Sequence, residues 1–193
     1  MWGGGINFLS HESSYFNVYS YSPIQHSGSS LNNKTASSVC VARDGKLWIG
    51  TDGGGINVFD KGKRVAVYKE ETGDLTDNSI QAALCDSEGT FGLDRLWEEW
   101  IFYDVKKEKV FTRFFLKIKQ GEDVRALYED AEYVWIGTSN GIYKVRLHDK
   151  GIADHYTVEN NLVRCISKDN LNRLWIGTFG GGLGVFDEHF QCV

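Results

Sequence analysis

Short apolar stretches alternate with polar, glycine-rich turns along the whole chain. The stretches are too brief for helices and are rich in β-branched and aromatic residues, so they predict strands. Four kinds of stretch recur in a fixed order. The first (a) is apolar: Ser38–Ala42, Ile80–Cys85, Val124–Tyr128 and Val163–Ile166. The second (b) carries a tryptophan: Leu47-Trp48-Ile49-Gly50-Thr51, Val134-Trp135-Ile136-Gly137-Thr138 and Leu174-Trp175-Ile176-Gly177-Thr178. The third (c) follows a glycine turn, within Gly53–Asp60, Asn140–Val145 and Gly180–Asp187. Gly3–Leu9 is the same piece without the second stretch before it. The fourth (d) is short and aromatic: Tyr15–Tyr19, Arg64–Tyr68, Val110–Phe115 and Ala153–Tyr156.

Stretches a to c place apolar residues on both faces, as sheets stacked on both sides require. Trp48 alternates with Ile49, so the two face opposite ways. Trp48, Trp135 and Trp175 are therefore expected as wedges between sheets, with a binding role as the alternative. Gly50, Gly137 and Gly177 belong to the same structural repeat.

One copy is degenerate. Counting back without gaps from Ile101–Asp104 puts Gly92 at the tryptophan position. Matching Asp94-Arg95-Leu96-Trp97 to Asn172-Arg173-Leu174-Trp175 would instead imply a shortened turn. On the ungapped count the tryptophan positions are 48, 92, 135 and 175. A period of roughly forty with four short strands is the signature of propeller blades. The expected fold is all-β, made of four-stranded antiparallel blades in an open arc or a fragment of a larger propeller. The blades are expected at 1–20 (partial, c-d), 37–69, 79–116 (degenerate), 123–157 and 162–193 (partial, a-b-c). Edge strands left open in this way favour association, so a homodimer and further blades of a parent chain are the expected protein partners.

The net charge of −5, with acids and bases mixed, gives no nucleic-acid footprint. No apolar run is long enough to span a membrane. Residues 1–5 lack the features of a signal peptide. Cys40, Cys85, Cys165 and Cys192 have no CxxC pairing and read as small apolar core residues. The five histidines lie in five different surroundings, so neither a metal nor a cofactor is expected. The glycine turns lead into strands and not helices, which removes a phosphate-binding loop.

In a propeller the d–a and b–c connections share one face. The d–a connections are acidic (Glu70, Glu71, Asp74, Asp77, Glu122, Asp123, Glu159), and the c–d turns are basic (Lys61, Lys63, Arg64, Lys106, Lys107, Lys109, Lys150). The acidic face is expected to tolerate neutral ligands or cations and to repel polyanions, the alternative being turns that are charged only because they are solvated. Each b–c turn presents one variable residue before its glycines: Trp2, Asp52, Ser139 or Phe179. Exposed aromatics there suit a sugar ring or another flat ligand. The candidate ligand contacts are these four together with Glu70, Asp74 and Asp77.

The strings at 47–60 and 174–187, and the shorter one at 134–143, resemble the two-component regulator propeller repeat. That resemblance implies part of a seven-bladed propeller in the periplasmic sensor region of a hybrid two-component histidine kinase of Bacteroidetes. It further implies a non-catalytic domain that senses a glycan-derived oligosaccharide. The chain holds fewer repeats than one such ring, and Gly92–Trp100 lacks the tryptophan string. A protein-interaction scaffold and a propeller lyase or glycosidase are the alternative functions.

Overall fold

In the computed structural model the described residues are 6–9, 16–23, 28–75, 77–85, 90–96, 99–104, 122–149, 151–160 and 162–193. Of 6–9, 16–17, 90–96 and 99–104 only the backbone is described. Every regular element among them is a strand. The chain divides into two compact units, Met1–Leu96 with Tyr103–Phe111, and Trp97–Phe102 with Thr112–Val193. A strand β9 (Glu99–Asp104) runs through the division.

In the first unit β1 (Ile6–Leu9) pairs with β2 (Phe16–Tyr19). A four-stranded blade follows: β3 (Ala36–Val41), β4 (Leu47–Thr51), β5 (Gly55–Asp60) and β6 (Lys63–Tyr68). Then β7 (Ala83–Cys85) pairs with β8 (Thr90–Leu96). All these pairings are antiparallel. Strand β7 is shorter than the expected 80–85. The Ile80 N–H donates to the Thr51 carbonyl at 3.0 Å, so the start of this stretch is tied to the preceding blade.

The register resolves the degenerate copy. Cys40 lies opposite Trp48, and Leu84 lies opposite Gly92. Gly92 therefore holds the tryptophan position and the ungapped count is the correct one. The expected fourth strand at 110–115 lies outside the described residues.

Both faces of β4 are buried. Trp48 is stacked on Tyr68, with ring centroids 5.6 Å apart, in a cluster with Ile56, Val58, Leu75 and Ile80. Ile49 faces the other way and meets Leu31 and Phe59. Gly50 has no space for a side chain, because a Cβ would run into Ser38 and Ile80. The next stretch a thus packs straight onto the backbone of β4. Cys40 and Cys85 correct the sequence reading. The ends of two successive a strands come within 5.8 Å, Cα to Cα, and their sulfurs form a disulfide. Cys165 and Cys192 are free and exposed, and so are not core residues either.

The second unit holds a complete blade of β10 (Val124–Asp130), β11 (Tyr133–Thr138), β12 (Gly141–Arg146) and β13 (Ile152–Tyr156). Beside it lies a three-stranded sheet of β14 (Val163–Lys168), β15 (Leu174–Thr178) and β16 (Gly182–Phe186). The packing rule repeats. A Cβ on Gly137 would run into Val163. Trp135 lies in a ring stack with Tyr156 at 6.0 Å and Phe190 at 6.2 Å. Lys168 Nζ reaches Asp130 Oδ2 at 2.6 Å and joins the two sheets at the other end.

Trp175 departs from the wedge expectation. It is only half-buried, and its indole N–H donates to Asp169 at 2.9 Å. Trp135→Ala removes a buried ring and is expected to cost about 3–5 kcal/mol in urea unfolding. An unchanged midpoint would refute the wedge role.

Asp169 also accepts from Arg173 Nε at 2.8 Å and from the Leu171 and Arg173 N–H groups at 2.9 Å. The Trp175 bond foremost, and then these donors, hold its carboxyl well below the usual carboxylate range. A folded-state pKa below the unfolded one stabilises the protein above the ordinary carboxylate pKa of about 4, and that stability is lost as the pH falls. Asp169→Asn is therefore expected to lower Tm at neutral pH. Its gap from wild type should narrow as the pH drops from about 5 towards 2 in thermal circular dichroism. A pH-independent gap would show that the carboxylate charge is not responsible.

Candidate functional site

The b–c turns are built alike in the three blades where they are described. The threonine ending strand b closes each turn by donating to the first carbonyl of strand c. The bonds are Thr51 to Gly55 at 2.8 Å, Thr138 to Gly141 at 3.1 Å and Thr178 to Gly182 at 3.3 Å. Gly55 and Gly141 have φ of 71° and 107°, and a Cβ there would strike the Tyr68 or Tyr156 carbonyl.

The variable residue is pinned the same way each time. The Asp52 N–H donates to Thr35 O at 3.0 Å, Ser139 to Asp123 O at 2.9 Å and Phe179 to Leu162 O at 2.8 Å. Each acceptor directly precedes strand a. The backbone at these positions is constant and the side chain is not.

In the first unit Asp52 is exposed, and its Oδ1 accepts from Ser79 Oγ at 2.6 Å. The d–a loop folds over the turn. Asn78 O accepts from the Gly53 and Gly55 N–H groups at 3.0 and 2.8 Å, while Leu75 inserts into the core. The structure thus brings Asp52 to the loop that contains Glu70, Asp74 and Asp77. Two of those acids have work within the loop. Asp77 Oδ1 accepts from the Ser79 N–H at 2.8 Å, and Asp74 accepts from Thr72 Oγ1. The neighbouring Glu71 bonds Asn78 at 3.2 Å, and its carboxyl is held low by its own backbone N–H and by Asn78. Glu70 is exposed.

In the second unit Ser139 is half-buried and its Oγ accepts from the Asp123 N–H at 3.1 Å. Phe179 is 64% exposed, with the Arg164 guanidinium carbon 5.2 Å from its ring centre. Trp2 lies outside the described residues. Among the described residues no group of three or more His, Cys, Asp or Glu could hold a metal.

Sorting residues by turn missed one position. The a–b ladder slips by one residue in three blades, leaving Ser37, Arg125 and Arg164 as the extra residue. The signal was a polar residue recurring second in three apolar stretches, at 81, 125 and 164, and just before the fourth, at 37. Two of these are arginines set among the acidic connections of the second unit.

The family profile described as two component regulator propeller matches residues 30–53 and 157–180. These ranges take in a d–a connection, strands a and b, and the variable turn residue in both cases. The chain carries two-component regulator propeller repeats.

Relatives agree with this. The extracellular domain assigned to a hybrid two-component system of B. thetaiotaomicron is 42% identical with a TM-score of 0.76, covering 91% of this chain and 24% of that one. Histidine kinase P4 of Formosa agariphila is 26% identical, over 78% of this chain and 12% of that protein. The chain therefore spans a small part of each. Virginiamycin B lyase from Staphylococcus aureus, at 16% identity and a TM-score of 0.64 over 82% of this chain and 54% of its own, shares the fold alone. The propeller repeats thus form a region similar to the extracellular part of a two-component sensor. No helix among the described residues is long and apolar enough to cross a membrane.

The turn chemistry separates fold from surface. Asp52→Ala removes one exposed hydrogen bond and is expected to cost under about 1 kcal/mol. Gly141→Ala forces φ > 0 on a side chain and a clash with Tyr156 O, and is expected to cost more than about 2 kcal/mol. Equal costs in urea unfolding would contradict this division.

Proposed function

We propose that the two-component regulator propeller repeats form the ligand-reading, non-catalytic part of a periplasmic sensor. The ligand is a glycan-derived oligosaccharide. Its candidate contacts are taken within each unit separately: Asp52 with Glu70, Asp74 and Asp77 in one, and Ser139 and Phe179 in the other. Trp2 joins them by its place in the repeat.

The observation that carries the reading is the constant turn backbone with a changing side chain. A pinned N–H at Asp52, Ser139 and Phe179 fixes where each side chain starts while leaving its chemistry open. Such preorganised positions lower the cost of ordering on binding. The 42% identity to an extracellular domain of a two-component system supports a sensor over an enzyme. Binding shifts the balance between blade arrangements, and the shift passes to a kinase in the rest of the protein. Its protein partners are the further blades of that parent and a second copy.

Thermal unfolding against a panel of oligosaccharides tests this. At least one should raise Tm, by mass action on the folded state, and Asp52→Ala or Phe179→Ala should reduce that rise. A flat panel, with another protein co-purifying instead, would favour an interaction scaffold. Consumption of a glycan during incubation would favour an enzyme.

A further inference from the structure

The bulge residues carry the reading further. A β-bulge leaves its extra residue out of the ladder and re-aims its side chain. Here the extra residue always lies two positions after the carbonyl that pins the variable turn residue: Thr35 and Ser37, Asp123 and Arg125, Leu162 and Arg164. In each blade the backbone therefore places the bulge residue two positions from the residue bonded to the turn.

In the β14–β16 blade the bulge and turn residues are Arg164 and Phe179. Both are exposed, and the guanidinium stands 5.2 Å from the ring centre. Arg164 makes no ion pair among the described residues. The Asn160 amide lies beside the same turn, since a Cβ on Gly180 would come 2.9 Å from its Nδ2. The d–a connections of this unit hold three acids. Asp123 is paired with Arg125 at 2.9 Å, Glu122 accepts from Asn140 Nδ2 at 2.8 Å, and Glu159 is exposed to solvent.

We propose that Arg164 and Phe179 form a subsite for an acidic saccharide, a sugar bearing a carboxylate or a sulfate. This rests on the saccharide-sensing reading above and specifies its ligand class. A guanidinium offers parallel N–H donors that match a carboxylate or sulfate with two bonds, which a neutral sugar cannot use fully. The Phe179 ring offers an apolar surface for the C–H face of a pyranose. Asn160 supplies a donor and an acceptor for a hydroxyl. The pinned backbone at Phe179 and the bulge at Arg164 hold the two groups in register before the ligand arrives.

Titration calorimetry on the full chain tests the subsite. The probes are tetragalacturonate, its fully methyl-esterified counterpart, a sulfated chondroitin tetrasaccharide and the neutral xylotetraose. An acidic probe should bind, and the methyl ester should bind at least about tenfold more weakly, a factor worth about 1.4 kcal/mol. Which acidic probe binds distinguishes carboxylate from sulfate. Arg164→Gln should weaken that binding by a similar factor while keeping the wild-type Tm. Arg164→Lys should recover part of it, and raising the salt should weaken the wild type but not Arg164→Gln. Neutral probes binding as well as acidic ones, or unchanged binding by Arg164→Gln, would overturn the acidic subsite and leave the saccharide reading intact. Binding of no probe, acidic or neutral, would count against both.

Discussion

The structure depends on one contact made twice: the first aliphatic residue of stretch a seated on the bare backbone of the preceding strand b. Ile80 sits on Gly50 and Val163 sits on Gly137. A side chain at either glycine would hold the neighbouring sheets apart. With the glycine in place, the indole two residues earlier is sealed beneath the next connection, and Trp48 and Trp135 are 2% and 6% exposed. The β14–β16 sheet shows the same surface without such a cover among the described residues. There Leu183 is 60% exposed, where its counterparts Ile56 and Ile142 are fully buried.

That contact also fixes what the turn can do. Because the next stretch a is tied to the b–c turn, through Ile80 N–H to Thr51 O in one case, the d–a connection must pass directly over the turn. The glycines and the threonine serve this crossing. The residue between them is anchored by its backbone, so its side chain is free to vary. Packing residues and one variable residue thus share one short string. A fold repeated nearly unchanged can then carry different chemistry in each blade.

The repeat was legible because every copy must solve the same packing problem with the same residue types. The fate of Gly92 was not, since two alignments fitted equally well until the register placed it opposite Leu84. The acidic connections were visible as composition. Their use in capping Ser79 and holding Asn140 depends on loop geometry that no spacing shows. The bulge arginines were present as a recurring polar residue in an apolar stretch. Without the slipped register there was no reason to set them beside the turns.

Local alternation and the forty-residue period determined by themselves that this chain forms antiparallel blades, that Trp48 and Trp135 are core residues and that the turns need glycine. Those properties rest on residue types that recur at a fixed spacing in the regular copies. The tertiary structure decided the Cys40–Cys85 disulfide, the half-exposure of Trp175 and the pairing of Arg164 with Phe179. Each of these depends on how one sheet lies against the next or where a ladder slips. The slip recurs from blade to blade, but which side chain it sets beside which neighbour is decided only when the sheets pack.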